Sequence, residues 1–199
     1  MNEFRPIPRQ RQTTRAADGL PRLKWTIEEF DSLAQHGFLT EDDRIELIGG
    51  ELVPMSPKGN RHELVRDELH DFLVRRLTEH VRLSSEIGWR PDSHTYLEPD
   101  IIVYPSGFVG ISVPPREILF LIEVADSSLR FDLDRKAKIY AGLGVREYWV
   151  IDANSLDTTV HRAPQGENYS DIRVVGKNDV VTPVLLPALA VSLGALKFK

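Results

Sequence analysis

A continuous apolar run near the middle of the chain is interrupted by a single charge. Residues 118–124 read ILFLIEV, and Glu123 is the charged residue among them. An apolar run of this length, without alternation, predicts a strand that is buried on both faces. Burying an ionised carboxylate is unfavourable by several kcal/mol unless the group is paired or binds a metal. Glu123 is therefore expected to have a partner.

The pattern around this strand predicts an α/β core. Asp100 stands before a second apolar strand over residues 101–104, a helix is expected from about 132 to 141, and another strand covers 147–151. The order strand, strand, helix, strand predicts a central mixed sheet with a crossover helix packed on it.

Further elements are expected on both sides of this core. They are a helix over 27–36, strands over 44–48 and 51–53, a helix over 60–80, strands over 81–87 and 95–97, and short strands within 157–199. Thr26 followed by Glu29 forms a capping box that would begin the first helix. Gly49 and Gly50 would form the tight turn between the first two strands.

Length and composition are those of a globular protein with one main domain. The chain has 199 residues, of which 41% are hydrophobic and 28% are charged. A single domain is expected over residues 24–199, after an irregular basic arm over residues 1–23. No stretch approaches the roughly 20 apolar residues of a membrane span, and no apolar signal region follows the N-terminus, so a cytoplasmic protein is expected.

Charge and cysteine content exclude some classes of function. There is no cysteine, which excludes a thiolate site and a disulfide framework. The net charge of −5 argues against binding of nucleic acid by the whole surface, but it leaves a local basic groove open. The arginines of the arm could contact phosphates, although a poorly ordered tail is the favoured interpretation.

Asp100, Glu123 and Lys136 form the main candidate site. If the strands that follow Asp100 and contain Glu123 are neighbours, both carboxylates can meet at one edge of the sheet. Lys136 shares one helical face with apolar residues at the spacing i, i+3, i+4 and i+7, which are Leu133, Ala137 and Tyr140. Lys136 is therefore predicted to face the core, whereas Lys138, about 200° further round the helix, faces solvent.

An inward lysine beside two carboxylates suits phosphodiester hydrolysis. Carboxylates bind Mg²⁺ together with waters and substrate oxygens, and a bound metal lowers the pKa of its water. The lysine can orient that water or stabilise the developing negative charge. A structural ion pair between Glu123 and Lys136 is the alternative, and spacing alone favours it.

Other candidate residues are weaker. Glu46, within the first predicted hairpin, could be a solvent-facing strand residue. The six histidines show no zinc-site spacing, and His62 and His70, eight residues apart on one predicted helix, are interpreted as surface residues. The charges of that helix, Arg66 among them, are interpreted as a solvated face. Phosphate-binding glycine loops and a GxSxG elbow are absent from the sequence.

At these residues the chain resembles the Uma-two family of restriction endonucleases, within the PD-(D/E)XK nuclease superfamily. The resemblance covers about residues 25–193 and rests on four blocks, which are RIELIGGEL at 44–52, RH at 61–62, EPDIIV at 98–103, and the stretch from IEV at 122 to EYWVID ending at 152. It implies a restriction-endonuclease-like α/β fold, with a central mixed β-sheet flanked by helices and additional strands at both ends of the chain. It also implies a divalent-metal site on Asp100 and Glu123, with Glu46 as a further acidic ligand.

One departure from the superfamily pattern concerns the lysine. The (D/E)XK motif has a lysine two residues after the acid, and that position is Ala125 here. The resemblance implies that this lysine has moved to the following helix, as Lys136. If Lys136 does not reach the carboxylates, the chain is expected to be a degenerate nuclease.

Two functions follow as hypotheses. The first is an endonuclease dependent on Mg²⁺ or Mn²⁺ that hydrolyses DNA, with Asp100, Glu123 and Glu46 as metal ligands and Lys136 acting on the water or the phosphate. The second is a catalytically inactive nuclease fold that binds nucleic acid or serves assembly, which the acidic net charge and the displaced lysine favour. A homodimer would suit cleavage of both strands of a duplex, but the sequence indicates no dimer face.

Overall fold

The computed structural model describes residues 13–15, 20–40 and 43–198 of the chain. The chain divides into two compact units, a smaller one of Met1–Met55 with Asp92–Leu97, and a larger one of Ser56–Pro91 with Glu98–Lys199. The single domain expected over residues 24–199 stays a prediction, and the structure adds this division. No helix among the described residues has the length and apolar composition needed to cross a bilayer.

Helices and groups of strands alternate along the described residues. In chain order they are β1 (Thr13–Arg15), β2 (Pro21–Leu23), α1 (Ile27–Gln35), β3 (Ile45–Ile48), β4 (Glu51–Pro54), α2 (Asn60–Val74), β5 (Val81–Ser85), β6 (Trp89–Asp92), β7 (Thr95–Leu97), β8 (Ile101–Pro105), β9 (Phe120–Ala125), α3 (Leu129–Phe131), a π-helical segment (Asp132–Lys136), α4 (Ala137–Leu143), β10 (Glu147–Asp152), β11 (Thr158–Gln165) and β12 (Asn168–Val175).

The smaller unit begins with strands where an irregular arm was predicted. β1 and β2 pair antiparallel, with Thr14 opposite Arg22. The prediction of an irregular arm over 1–23 is therefore wrong for these two segments, because backbone pairing with each other satisfies their hydrogen bonds. The rest of the predicted arm, residues 1–12 and 16–19, lies outside the described residues.

The local signals of the smaller unit are confirmed. The N–H of Glu29 donates to Thr26 Oγ1 at 3.2 Å, and Glu29 Oε2 accepts from the N–H of Thr26 at 3.1 Å, which forms the predicted capping box of α1. β3 and β4 form the predicted hairpin and are joined by Gly49 and Gly50, whose φ values are 58° and 93°. Glycine suits this turn because both positions need positive φ.

The larger unit is built on a six-stranded sheet in the order β12-β11-β10-β9-β8-β5. β9 and β10 are parallel, and the other neighbours pair antiparallel. The chain crosses from β9 to β10 through α3, the π-helical segment and α4. The predicted mixed sheet with a crossover helix is therefore confirmed.

Helices cover both faces of this sheet. Val65 and Leu69 of α2 pack in one hydrophobic core with Ile122 and Val124 of β9. Since side chains alternate along a strand, Glu123 points to the opposite face, where the π-helical segment and α4 supply its partners. This arrangement explains the continuous apolar character of β9, every residue of which is buried.

Two predicted elements end earlier in the structure. The helix expected over 60–80 ends at Val74, and the strand expected over 81–87 ends at Ser85. Glu86 follows that strand with a φ of 52°, and its N–H donates to the carbonyls of Pro99 and Asp100. This left-handed residue turns the chain out of the ladder and brings the Glu86 carboxylate towards the region of Asp100.

Candidate active site

Asp100 and Glu123 stand next to the terminal pair of the β8–β9 ladder, one on each strand. The first recorded pair of the ladder is Ile101 opposite Ile122. Asp100 is one residue before Ile101 and Glu123 is one residue after Ile122, so both acids follow directly on this terminal pair. Each is only 3% exposed. The structure therefore places two of the predicted residues, both buried, at the same end of two neighbouring strands.

Glu123 has two charged or polar donors from the crossover helices. Lys136 Nζ lies 2.9 Å from Glu123 Oε1, and the hydroxyl of Tyr140 donates to the same oxygen at 2.7 Å. Lys136 is buried, as its predicted inward face requires. The displaced lysine therefore reaches one of the two carboxylates.

A π-helical segment positions this lysine. The helix expected from about 132 begins three residues earlier, at Leu129, and changes to π geometry over Asp132–Lys136. The N–H of Ala137 donates to the carbonyl of Asp132, which is an i to i+5 bond. Such bulges insert one extra residue into a turn and are frequent at functional sites. Lys138 is half exposed and pairs with Asp134, as its predicted outward direction requires.

Asp100 is held through both of its oxygens. Asp100 Oδ2 accepts from the N–H of Val124 at 2.8 Å and lies 2.9 Å from His62 Nε2. Asp100 Oδ1 lies 3.0 Å from Lys58 Nζ. His62 comes from the first turn of α2, and Lys58 comes from the segment just before it.

These contacts control the ionisation of Asp100. Burial raises the pKa of this carboxyl, but the hydrogen bond from His62, the charge of Lys58 and the Val124 N–H together outweigh burial. The net effect lowers the pKa of Asp100 well below its usual range. Asp100 is therefore an ionised carboxylate at neutral pH, which is the form that binds a metal ion.

Lys58 links Asp100 to a second set of charges. Its Nζ also contacts Glu86, which in turn pairs with Arg66 Nη1 of α2 at 2.5 Å. Burial lowers the pKa of Lys58, but the charges of Asp100 and Glu86 outweigh it and raise the pKa above its usual value. A chain of alternating charges thus runs from Asp100 to Arg66.

Sequence reasoning misplaced two residues of this network. His62 was predicted to lie at the surface, and it is 5% exposed. Arg66 was assigned to a solvated face, and it is buried against Glu86. Helical spacing does predict a buried His62, since this residue lies three positions before Val65 and shares the inward face of α2. His70, by contrast, is partly exposed.

Lys58 and Tyr140 were missed for different reasons. Lys58 lies between Pro57 and Gly59 in an irregular segment, where no periodicity indicates a direction. Tyr140 was placed correctly on the inward helical face but was given no role.

Glu46 lies in the smaller unit and is 2% exposed, so the solvent-facing alternative is wrong. It stands opposite Val53 in the β3–β4 hairpin. Its role as a metal ligand stays a prediction. Within residues 13–15, 20–40 and 43–198 no group of three or more His, Cys, Asp or Glu side chains is arranged to hold a metal ion.

The donor chemistry of Asp100 and Glu123 nevertheless fits Mg²⁺. This ion prefers oxygen ligands and commonly takes only one or two protein carboxylates, because waters and substrate oxygens complete its octahedron. Asp100 and Glu123 are ligands of this chemical class.

Comparison with known proteins agrees with this architecture. Five chains of solved structures match, among them a protein from Anabaena variabilis described as a putative nuclease belonging to DUF820. It is 16% identical in sequence, its TM-score is 0.66, and the alignment covers 85% of this chain and 95% of that one. At this identity the likeness shows a shared fold.

Sequence comparison identifies the family. No curated protein matches the chain. The sequence model of the family Uma2, described as "Putative restriction endonuclease", matches residues 27–194. This match spans both units and includes every residue of the candidate site, so the chain belongs to the Uma2 family.

Proposed function

We propose that this protein is an endonuclease that depends on a divalent metal and hydrolyses phosphodiester bonds of DNA. One observation carries the proposal. Two buried acids, Asp100 and Glu123, stand next to the terminal pair of the β8–β9 ladder, and the ammonium of Lys136 lies 2.9 Å from Glu123. Membership of a family described as restriction endonucleases supports a nuclease, and that description favours DNA as the substrate.

Asp100 and Glu123 would hold Mg²⁺ or Mn²⁺. When bound, the ion would lower the pKa of a water and offset the charge of the scissile phosphate. A homodimer would suit cleavage of both strands of a duplex.

The remaining side chains act on orientation and charge. The ammonium of Lys136 can donate to the attacking water or to a phosphate oxygen, where it stabilises negative charge that develops in the transition state. The hydroxyl of Tyr140 and the N–H of Val124 fix the directions of the Glu123 and Asp100 carboxylates. These bonds hold both carboxylates in fixed directions before the substrate binds.

Nicking of a supercoiled plasmid tests the proposal. The wild type should nick the plasmid with Mg²⁺ or Mn²⁺ and should stop when the metal is chelated. Asp100→Asn, Glu123→Gln and Lys136→Met should each reduce the rate by about 10²-fold or more. Lys138→Met removes the same charge from the exposed side of the helix and is the matched control.

Equal cleavage by the wild type and Glu123→Gln would contradict the assignment of the site. Cleavage that continues in the presence of a chelator would contradict the metal dependence.

An inactive nucleic-acid-binding or assembly module is the second candidate. It is favoured by the observation that each acid already contacts an ammonium group, Asp100 with Lys58 and Glu123 with Lys136. These contacts stabilise both carboxylates in the absence of a metal. DNA binding that is indifferent to metal and to Asp100→Asn, without cleavage, would support this candidate.

A further inference from the structure

Lys58 occupies the side of Asp100 that a divalent cation has to approach. Asp100 Oδ2 already interacts with His62 and with the N–H of Val124. Asp100 Oδ1 lies 3.0 Å from Lys58 Nζ, and this ammonium is its one polar contact in the part of the chain that the structure describes. An ion that binds Asp100 without breaking the bonds to Oδ2 therefore meets Lys58.

Lys58 has a second carboxylate to which it can move. Its Nζ contacts Glu86 as well as Asp100. The Glu86 side chain is 39% exposed, whereas that of Asp100 is 4% exposed. A small rotation of the lysine side chain would release Asp100 Oδ1 and keep the ammonium paired with Glu86. Arg66 also pairs with Glu86 and holds it in place.

Loss of Lys58 would leave Asp100 well held. His62 Nε2 and the Val124 N–H both remain on Oδ2. The carboxylate would therefore keep its direction, and the main change would be the removal of one positive charge next to Oδ1. This separates an effect on metal binding from a loss of structure.

The electrostatics of the pair oppose a metal ion in the free protein. Each proposed ligand contacts one ammonium, so an arriving dication meets two positive charges at short range. A nucleic-acid backbone brings one negative charge with each phosphate, which offsets that repulsion. Metal and nucleic acid should then favour each other's binding.

We propose that Lys58 is a displaceable counter-ion of Asp100, which keeps metal affinity low until nucleic acid binds and which then moves to Glu86. This inference rests on the proposed function, because it assumes that Asp100 is a metal ligand. Binding linkage is reciprocal, so the factor by which nucleic acid strengthens metal binding equals the factor by which metal strengthens nucleic-acid binding. Lys58 contacts neither substrate nor metal in this scheme; it acts through its charge on Asp100.

Titration of the full chain with Mn²⁺ in a calorimeter, without nucleic acid, tests the inference. Lys58→Met should bind Mn²⁺ at least about tenfold more tightly than the wild type, because a unit charge a few Å from the ion is removed. A purely structural role for Lys58 would give weaker binding. Lys138→Met is the matched control, and its affinity should change less than about twofold, since the charge is exposed and screened.

Glu86→Gln provides a second variant, which should change the affinity for Mn²⁺ in the opposite direction. It leaves Lys58 with Asp100 as its carboxylate partner, so Mn²⁺ should bind about threefold more weakly or worse. A short duplex with phosphorothioate linkages should strengthen Mn²⁺ binding by the wild type, and the strengthening should be smaller for Lys58→Met.

The outcomes separate this inference from the proposed function. If the wild type binds Mn²⁺ and Asp100→Asn does not, while Lys58→Met binds as the wild type or more weakly, the inference is overturned and the metal site stands. If neither the wild type nor Lys58→Met binds Mn²⁺, with or without the duplex, both are overturned.

Discussion

Lys136 reaches Glu123 from a position 13 residues further along the chain, and its Nζ lies 2.9 Å from Glu123 Oε1. A lysine two residues after the acid would lie on the same strand and the same face as Glu123. Ala125 occupies that position, and the π-helical segment Asp132–Lys136 supplies the amine instead. The π-helical segment thus brings a lysine that is distant in sequence to the acid that a lysine at position 125 would adjoin.

This ion pair should contribute strongly to stability. We expect Lys136→Met to lower the free energy of unfolding by about 3–5 kcal/mol, because it removes the ammonium from a buried carboxylate. Adding Glu123→Gln should recover part of that loss, since the charge is then gone as well. Urea denaturation of the two single variants and the double variant measures the coupling. A urea midpoint of Lys136→Met equal to that of the wild type would contradict the expectation.

The ionisation of Asp100 should make stability depend on acid pH. Burial raises its pKa, but His62 and Lys58 lower it more, so the folded pKa lies below the unfolded value. A group with a depressed folded pKa stabilises the fold above its unfolded pKa of about 4, and this stabilisation is lost as the pH falls through the folded value.

Below about pH 4, the free energy of unfolding of Asp100→Asn should therefore depend less on pH than that of the wild type. The measurement is the urea midpoint across a pH series. Asp179→Asn, at an exposed position, serves as the control and should follow the wild type. Parallel curves for the wild type and Asp100→Asn would show that Asp100 is not held as the structure indicates.

Two glycines at the C-terminal end of α4 should differ in their response to alanine. One substitution should lower the free energy of unfolding and the other should raise it. Gly144 ends the helix with a φ of 85°, and Gly144→Ala should lower the free energy of unfolding by about 1–2 kcal/mol because alanine disfavours this conformation. Gly142 lies within the helix, where a Cβ would make an ordinary contact 3.7 Å from Glu167 Cγ. Gly142→Ala should stabilise the protein by about 0.5–1 kcal/mol. Chemical denaturation distinguishes the two.

A second ion pair, between the buried Glu147 and the partly exposed Arg162, lies away from the candidate site. Glu147 is 2% exposed and also accepts from Trp149 Nε1 at 2.8 Å. Arg162→Met should lower the free energy of unfolding by about 3 kcal/mol, because a buried carboxylate loses its cation. Arg173→Met breaks the exposed pair with Asp171 and should change stability by less than about 1 kcal/mol. A similar effect of both substitutions on thermal unfolding would contradict this difference.

Much of the fold follows from local signals. The capping box of Thr26 and Glu29, the turn at Gly49 and Gly50, and the strand around Glu123 were all predicted correctly. Each depends on a few neighbouring residues, whose conformational preferences and apolar pattern decide the backbone. The inward direction of Lys136 was also predictable, because side chains three and four residues apart share a helical face.

The partners of Asp100 were decided by tertiary structure. His62 lies 38 residues from Asp100 in sequence. Glu86, which itself has a left-handed backbone conformation after β5, approaches the same region. Sequence periodicity indicates which way a side chain points, but it does not indicate which charge it meets. That choice depends on how α2 docks on the sheet and on which ions are removed from water together, and both are properties of the assembled fold.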